Sequence, residues 1–199
     1  MSSDAAVGRR ERNKQQKLAR ITAAASELFA DHGIDDVTTQ QIAERADVGT
    51  GTLFLYAKTK GELLLLAQNT HYAVALESGI AMAARISDPL DALMALLRPI
   101  IECNRVQIDN GRVYLREMVF GDPSDAPHAE ALRIVAATED AAAAILRRDP
   151  AVGEDDAASL ARIISGIMFL TLGASLNVGL TVDELADDVR RQIGALLAR

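Results

Sequence analysis

The stretch that decides the fold is residues 38–60, TTQQIAERADVGTGTLFLYAKTK. Residues 38–46 predict a short helix, because Ile42, Ala43 and Ala46 recur at the three- and four-residue spacing of one helical face. Thr38 followed by Gln41 is a capping box: the threonine oxygen accepts from the third following amide and the glutamine reaches back to the cap. Asp47-Val48-Gly49 ends that helix, and a second is expected over Thr50-Gly51-Thr52-Leu53-Phe54-Leu55-Tyr56. Three residues between two short helices is the tight spacing of a helix-turn-helix. Ala43 and Gly51 are small, as expected where two such helices approach closely.

Upstream, a first helix is expected from about Lys14 to His32, with Leu18, Ile21, Ala25, Leu28 and Phe29 on one face and Gly33 placed to end it. Downstream, Thr59 with Glu62 and Thr181 with Glu184 repeat the capping box. Asp88 before Pro89 marks another start, since proline at the first helical position loses no intrahelical hydrogen bond. Further helices are expected at about 60–86, 89–109, 112–120, 127–148, 155–178 and 182–198, with 121–127 as a loop. Strict alternation of apolar and polar residues is nowhere sustained. The expected fold is all-α with about nine helices. Residues 1–60 form an N-terminal arm and helix-turn-helix domain, and 61–199 a second, helical domain.

A helix-turn-helix presents its second helix to the major groove of double-stranded DNA. Lys58, Thr59 and Lys60 place positive charge and free amides at the start of the next helix, a favourable position for a phosphate. Within the first twenty residues Arg9, Arg10, Arg12, Lys14, Lys17 and Arg20 outnumber Asp4 and Glu11. Such a run reads either as a solvated tail or, beside this motif, as a phosphate-binding arm. The second motif helix has no Arg, Lys, Asn or Gln for a bidentate base contact, worth about 1–3 kcal/mol. Discrimination is therefore expected from Gln40 and Arg45 on the first motif helix, from DNA shape, or from the basic arm.

Thr38, Ile42-Ala43, Ala46, Val48, Gly51-Thr52-Leu53-Phe54, Tyr56, Lys60 and Leu63 together resemble the signature of the TetR family of bacterial repressors. The resemblance spans about residues 14–64 and departs from the family at Asp47, Gly49 and Ala57, where Gly, Ser and an aromatic are usual. It implies phosphate contacts by Thr38, Tyr56 and Lys60, with Thr50 and Thr52 facing bases or backbone. Thr38 also reads as a simple cap and Tyr56 as core. The candidate DNA-contacting set is Thr38, Gln40, Arg45, Thr50, Gly51, Thr52, Tyr56 and Lys60. The resemblance further implies that the remaining helices make an effector-binding and dimerisation domain. A ligand there would shift the spacing of two reading heads through the helix that begins at Thr59.

The bulk properties agree with a globular protein: 199 residues, 49% apolar and 25% charged, suffice for a core without disulfides or metals. The formal charge of −7 argues globally against nucleic acid, but residues 1–60 carry 9 basic against 8 acidic residues and the remainder 12 against 20. Cys103 is the only cysteine, which excludes an intrachain disulfide and a cysteine-rich zinc site and fits a reducing cytoplasm. The N-terminus has no apolar run after its arginines, so no secretory signal is expected. Residues 163–182 lack charge and approach the length of a membrane span, but Ser165, Thr171, Ser175 and Asn177 interrupt them. They read as a helix buried between protein surfaces, and no membrane partner is expected.

Gly166, Phe169, Leu170, Gly173 and Leu176, followed by Leu185, Val189, Ile193 and Leu196 on one face of the last helix, suit an intersubunit four-helix bundle or, alternatively, an intramolecular core. A homodimer would read a near-palindromic operator. Polar or aromatic side chains in apolar settings are the candidates for a pocket: His71, Tyr72, Asn104, Tyr114, Arg116, Glu117, Phe120 and Asn177. A mostly apolar pocket would favour a hydrophobic or amphipathic small molecule as effector. Catalytic residues, a metal site and a cofactor are not expected. His32, His71 and His128 lack zinc spacing, and Gly49-Thr50-Gly51 lacks the strand and further glycine of a nucleotide loop. The alternative function is a constitutive DNA-binding protein without an effector.

Overall fold

The computed structural model describes residues 2–198, with the side chains of 2–7 and 9 lying outside the description. Among the described residues there are nine α-helices, one 3-10 turn and no strand, as expected from the periodicity. The chain divides into two compact units, residues 1–68 and 69–199.

In the first unit α1 (Ser2–Asp36), α2 (Thr39–Arg45), α3 (Thr50–Leu53) and the start of α4 (Lys60–Ala83) follow in order. Helix α1 begins earlier than the apolar stripe predicts. Its polar first half is rich in arginine, lysine, glutamine and alanine, which favour helix without needing burial. The basic segment expected as an arm is therefore helical, although the side chain of Arg9 lies outside the description. Gly33 breaks α1 at φ 77°, a conformation open to glycine at little cost. Ile21, Ala25 and Phe29 of α1 are buried with Ile42, Ala43 and Ala46 of α2 and Leu53 of α3.

The second unit holds the rest of α4 with α5 (Pro89–Arg105), α6 (Ile108–Phe120), α7 (Ala126–Leu146), α8 (Glu154–Gly173) and α9 (Val182–Leu197). Asp88 caps α5 by accepting from the Asp91 amide at 2.8 Å, ahead of Pro89, and Thr181 with Glu184 forms the full capping box on α9. Helix α8 ends at Gly173 rather than near residue 178, because the chain turns into the 3-10 segment Ser175–Asn177. That turn is held by Asn177, whose Nδ2 donates to the Thr171 carbonyl at 2.9 Å. Two close approaches fix the packing: a Cβ on Gly79 would lie 2.2 Å from the Leu96 carbonyl oxygen, and one on Gly111 would lie 2.2 Å from that of Asn104.

One expectation about α9 is overturned. Leu185, Val189 and Ile193 are fully buried within the single chain, where α9 packs on α5 and α8, so they are not free to form an intersubunit bundle. On α8, by contrast, Leu170 is exposed and the Cβ positions of Gly166 and Gly173 face open space. Helix α8 is long and apolar enough to cross a membrane by length and composition, but Ala157, Ala161, Ile164, Met168 and Leu172 are buried in the unit.

Candidate nucleic-acid interface and buried cavity

In the first unit the turn between α2 and α3 is a Schellman motif. The Val48 amide donates to the Ala43 carbonyl at 3.0 Å and the Asp47 amide to the Glu44 carbonyl at 3.1 Å. Asp47 takes the left-handed position, φ 51°, that glycine usually fills. At the other end of α2, Thr38 Oγ1 accepts from the Gln41 amide at 3.2 Å, and Gln41 Oε1 accepts from the Thr38 amide at 2.7 Å. The expected box is thus formed. The box expected at Thr59 is rearranged: Thr59 Oγ1 accepts from the Glu62 amide at 3.0 Å, but Glu62 Oε2 accepts from the Lys58 amide at 2.7 Å.

Helix α3 is shorter than expected. It is regular only to Leu53, and tighter i to i+3 bonds then carry the chain through Leu55 and Tyr56. Gly49, in the cap position, makes no side-chain cap bond, and Ala57 is buried. Gly51 corrects the expectation of close helix packing, since it is exposed and a Cβ there would meet nothing within 4 Å. Thr50 is exposed and Thr52 half-buried.

The remaining expected contact residues engage α1 or their own helix. The Tyr56 hydroxyl donates to the Lys14 carbonyl at 3.2 Å, and Lys60 Nζ to the Asp35 carbonyl at 3.3 Å. Gln40 donates to Glu44 at 2.9 Å. Arg45 embraces both carboxylate oxygens of Glu27, and that hydrogen bonding, with the guanidinium charge, lowers the Glu27 pKa below the usual carboxylate range. All of these groups are on the surface, where water weakens such bonds enough for exchange with another partner. Arg10, Arg12, Lys14, Lys17 and Arg20 are exposed along α1.

The second unit holds a partly open cavity of about 90 Å³. Leu97 and Ile100 of α5, Leu115 and Met118 of α6, Ile134 and Ala142 of α7, and Ala161, Ile164 and Met168 of α8 supply its apolar wall. Tyr72 and Tyr114 complete it, with rings stacked at 4.0 Å and 13°. Their hydroxyls point to buried amides: Tyr114 donates to Asn69 Oδ1 at 2.9 Å, and Tyr72 accepts from Asn104 Nδ2 at 2.9 Å. Burial raises both phenol pKa values, so both rings stay neutral. Thr138 and Ser165 are the other polar lining groups, and the Thr138 hydroxyl donates to the Ile134 carbonyl at 2.8 Å.

Of the eight side chains expected at a pocket, Tyr72 and Tyr114 line this one and Asn104 supports it. His71 is exposed, Arg116 pairs with Glu117 at 3.3 Å, Phe120 is exposed against the edge of Phe169, and Asn177 holds the turn after α8. The apolar lining residues escape sequence reading because they share the core periodicity. Cys103 is half-buried, and burial pushes its thiol up to about 11, so it stays protonated at neutral pH.

Residues 21–67 match the family described as bacterial regulatory proteins, tetR family. No curated protein matches the chain. Among solved structures it is similar to a TetR transcriptional regulator from Rhodococcus sp. RHA1, at 18% identity and TM-score 0.72 over 94% of this chain and 98% of that one. It is similar to FadR of Thermus thermophilus, a TetR family transcriptional repressor solved with lauroyl-CoA, at 26% identity and TM-score 0.70 over 92% and 96%. A third is the fatty acid degradation regulator FadR from Bacillus halodurans, at 14% identity and TM-score 0.62 over 88% and 96%. The chain therefore joins the N-terminal module of the bacterial tetR-family regulatory proteins, in residues 21–67, to the fold of that family's transcriptional regulators.

Proposed function

We propose that this protein is a cytoplasmic, homodimeric repressor that leaves a near-palindromic operator when a small, uncharged, apolar molecule occupies the cavity of its second unit. The observation that carries this reading is the cavity itself, whose lining contains no charged side chain, in a chain whose first unit is a helix-turn-helix. Thr38, Thr50, Thr52, Tyr56 and Lys60 are the groups for phosphate and backbone contact, with the exposed cations of α1 adding salt-dependent attraction. Gln40 and Arg45 read bases after exchanging Glu44 and Glu27 for DNA.

Dimerisation is supported by α8, where Ile163 and Leu170 are exposed and Gly166 and Gly173 leave room for a partner helix. Leu176, 84% exposed, extends that surface beyond the helix end. For release, the ligand must favour the spacing of reading heads that fits DNA poorly, and a coupling of about 1–3 kcal/mol suffices.

The lauroyl-CoA bound by the Thermus protein supports a second reading, an acyl thioester as effector. The lining favours the neutral ligand, since it has no charged side chain to receive the anionic CoA moiety of a thioester. Selecting genomic fragments bound by the purified protein, then measuring release by neutral monocyclic compounds and by lauroyl-CoA, tests the proposal. Specific binding that no compound alters favours a constitutive DNA-binding protein. A monomer at equilibrium in sedimentation removes the palindromic operator.

A further inference from the structure

Two large apolar side chains stand exposed at the end of the helix-turn-helix, Phe54 at 44% and Leu55 at 82%. Thr50, Gly51, Phe54 and Leu55 are all exposed, while Leu53 between them is fully buried. The outward face therefore offers one hydroxyl, one bare stretch of backbone and two hydrocarbon surfaces. It has no side chain able to form a bidentate hydrogen bond to a base edge.

Tyr56, next to Leu55 in the chain, donates to the Lys14 carbonyl at 3.2 Å, and so ties this end of the motif to α1, the helix that carries the exposed cations Arg10, Lys14 and Lys17. Cations on the helix in contact and a hydrocarbon tip on the motif together suit a groove bordered by phosphates whose floor carries apolar groups. Thymine alone presents such a group in the major groove, its 5-methyl.

We infer that Leu55 is a specificity-determining residue that reads a thymine methyl group in each half of the operator. The inference rests on the DNA-binding reading above and deepens it.

The test uses the full-length protein and the duplex obtained by fragment selection, synthesised with uracil in place of one half-site thymine at a time, the position whose replacement weakens the wild type most being carried into the variants. Uracil removes only the methyl and keeps the pairing and the hydrogen-bond acceptors. Wild-type protein should bind the uracil duplex more weakly by about fourfold per contacted methyl, the worth of one buried methylene. Leu55→Ala should bind the thymine duplex correspondingly more weakly and no longer distinguish the two. Because Leu55 is exposed, this variant keeps the fold, which circular dichroism checks. Equal wild-type affinity for both duplexes overturns the inference while leaving DNA binding intact. So does a Leu55→Ala protein that still prefers thymine at that position, or one that binds both duplexes as the wild type does. Failure to bind any duplex strikes the DNA-binding reading itself.

Discussion

Asp47 keeps a left-handed backbone, φ 51°, while its carboxylate meets the Arg20 guanidinium at 3.0 Å. The backbone strains against an L side chain, and the ion pair is exposed on both sides, contributing at most about 1 kcal/mol. Replacing Asp47 by glycine or by alanine removes the pair equally, so the difference between the two variants isolates the backbone. Asp47→Gly should be more stable than Asp47→Ala by about 1 kcal/mol in urea unfolding. Equal stability would show that the turn relaxes and that φ is not held.

Glu27 is the partner of Arg45, and its lowered pKa makes a pH prediction with a definite sign. A carboxylate whose folded pKa is depressed stabilises the fold above its unfolded value and loses that contribution as pH falls through the folded one. The window lies below the usual value of 4.5. Thermal midpoints of Glu27→Gln and wild type should differ at pH 7 and converge as the pH drops below that value. If Arg45 reads bases, the same variant also binds operator more tightly, because the competing carboxylate is gone.

Gly51 separates folding from DNA contact. A Cβ there meets nothing within 4 Å, and alanine is the better helix former by up to about 1 kcal/mol. Gly51→Ala should therefore unfold at the same or a higher urea concentration. Its operator affinity should fall about tenfold if the bare backbone lies against a phosphate or a base edge. Unchanged affinity would place α3 away from the groove at this position.

Much of this architecture is legible in the sequence, and the exceptions have physical causes. Thr38 with Gln41 and Asp88 with Pro89 act through neighbours in the chain, so their spacing announces them. Tyr72 and Tyr114 stand out because a hydroxyl in an apolar period needs a partner. Gly79 and Gly111 do not stand out, since what forbids a side chain there is a carbonyl brought in by folding. Leu185, Val189 and Ile193 form the stripe expected, but a stripe names no partner, and here it is α5 and α8 of the same chain. The cavity is the least legible, because its walls and the solid core use the same apolar residues.

The buried amides make Tyr114 costly to change. Its hydroxyl is the donor to Asn69 Oδ1, and Asn69 is itself buried with Nδ2 donating to the Pro127 carbonyl at 2.8 Å. Tyr114→Phe removes one oxygen and leaves that acceptor dry and unpaired, a loss of about 1–3 kcal/mol. Restoring part of the loss with Asn69→Leu added to Tyr114→Phe would confirm that the unpaired amide, and not the ring packing, sets the penalty.

Ala161 tests the cavity directly. It is almost fully buried on α8 and lines the space with Ala142 and Ile164, so Ala161→Leu fills volume without introducing charge. A compact neutral ligand at about one hundred times its dissociation constant stabilises the protein by about 2.7 kcal/mol, or about 5–10 °C in a domain of this size. The wild type should show that shift and the variant should not, while operator binding without ligand stays the same in both. A variant that folds, binds operator and still responds would place the effector outside this cavity. Response of the wild type to lauroyl-CoA alone, with none to neutral rings, would favour the acyl thioester as effector.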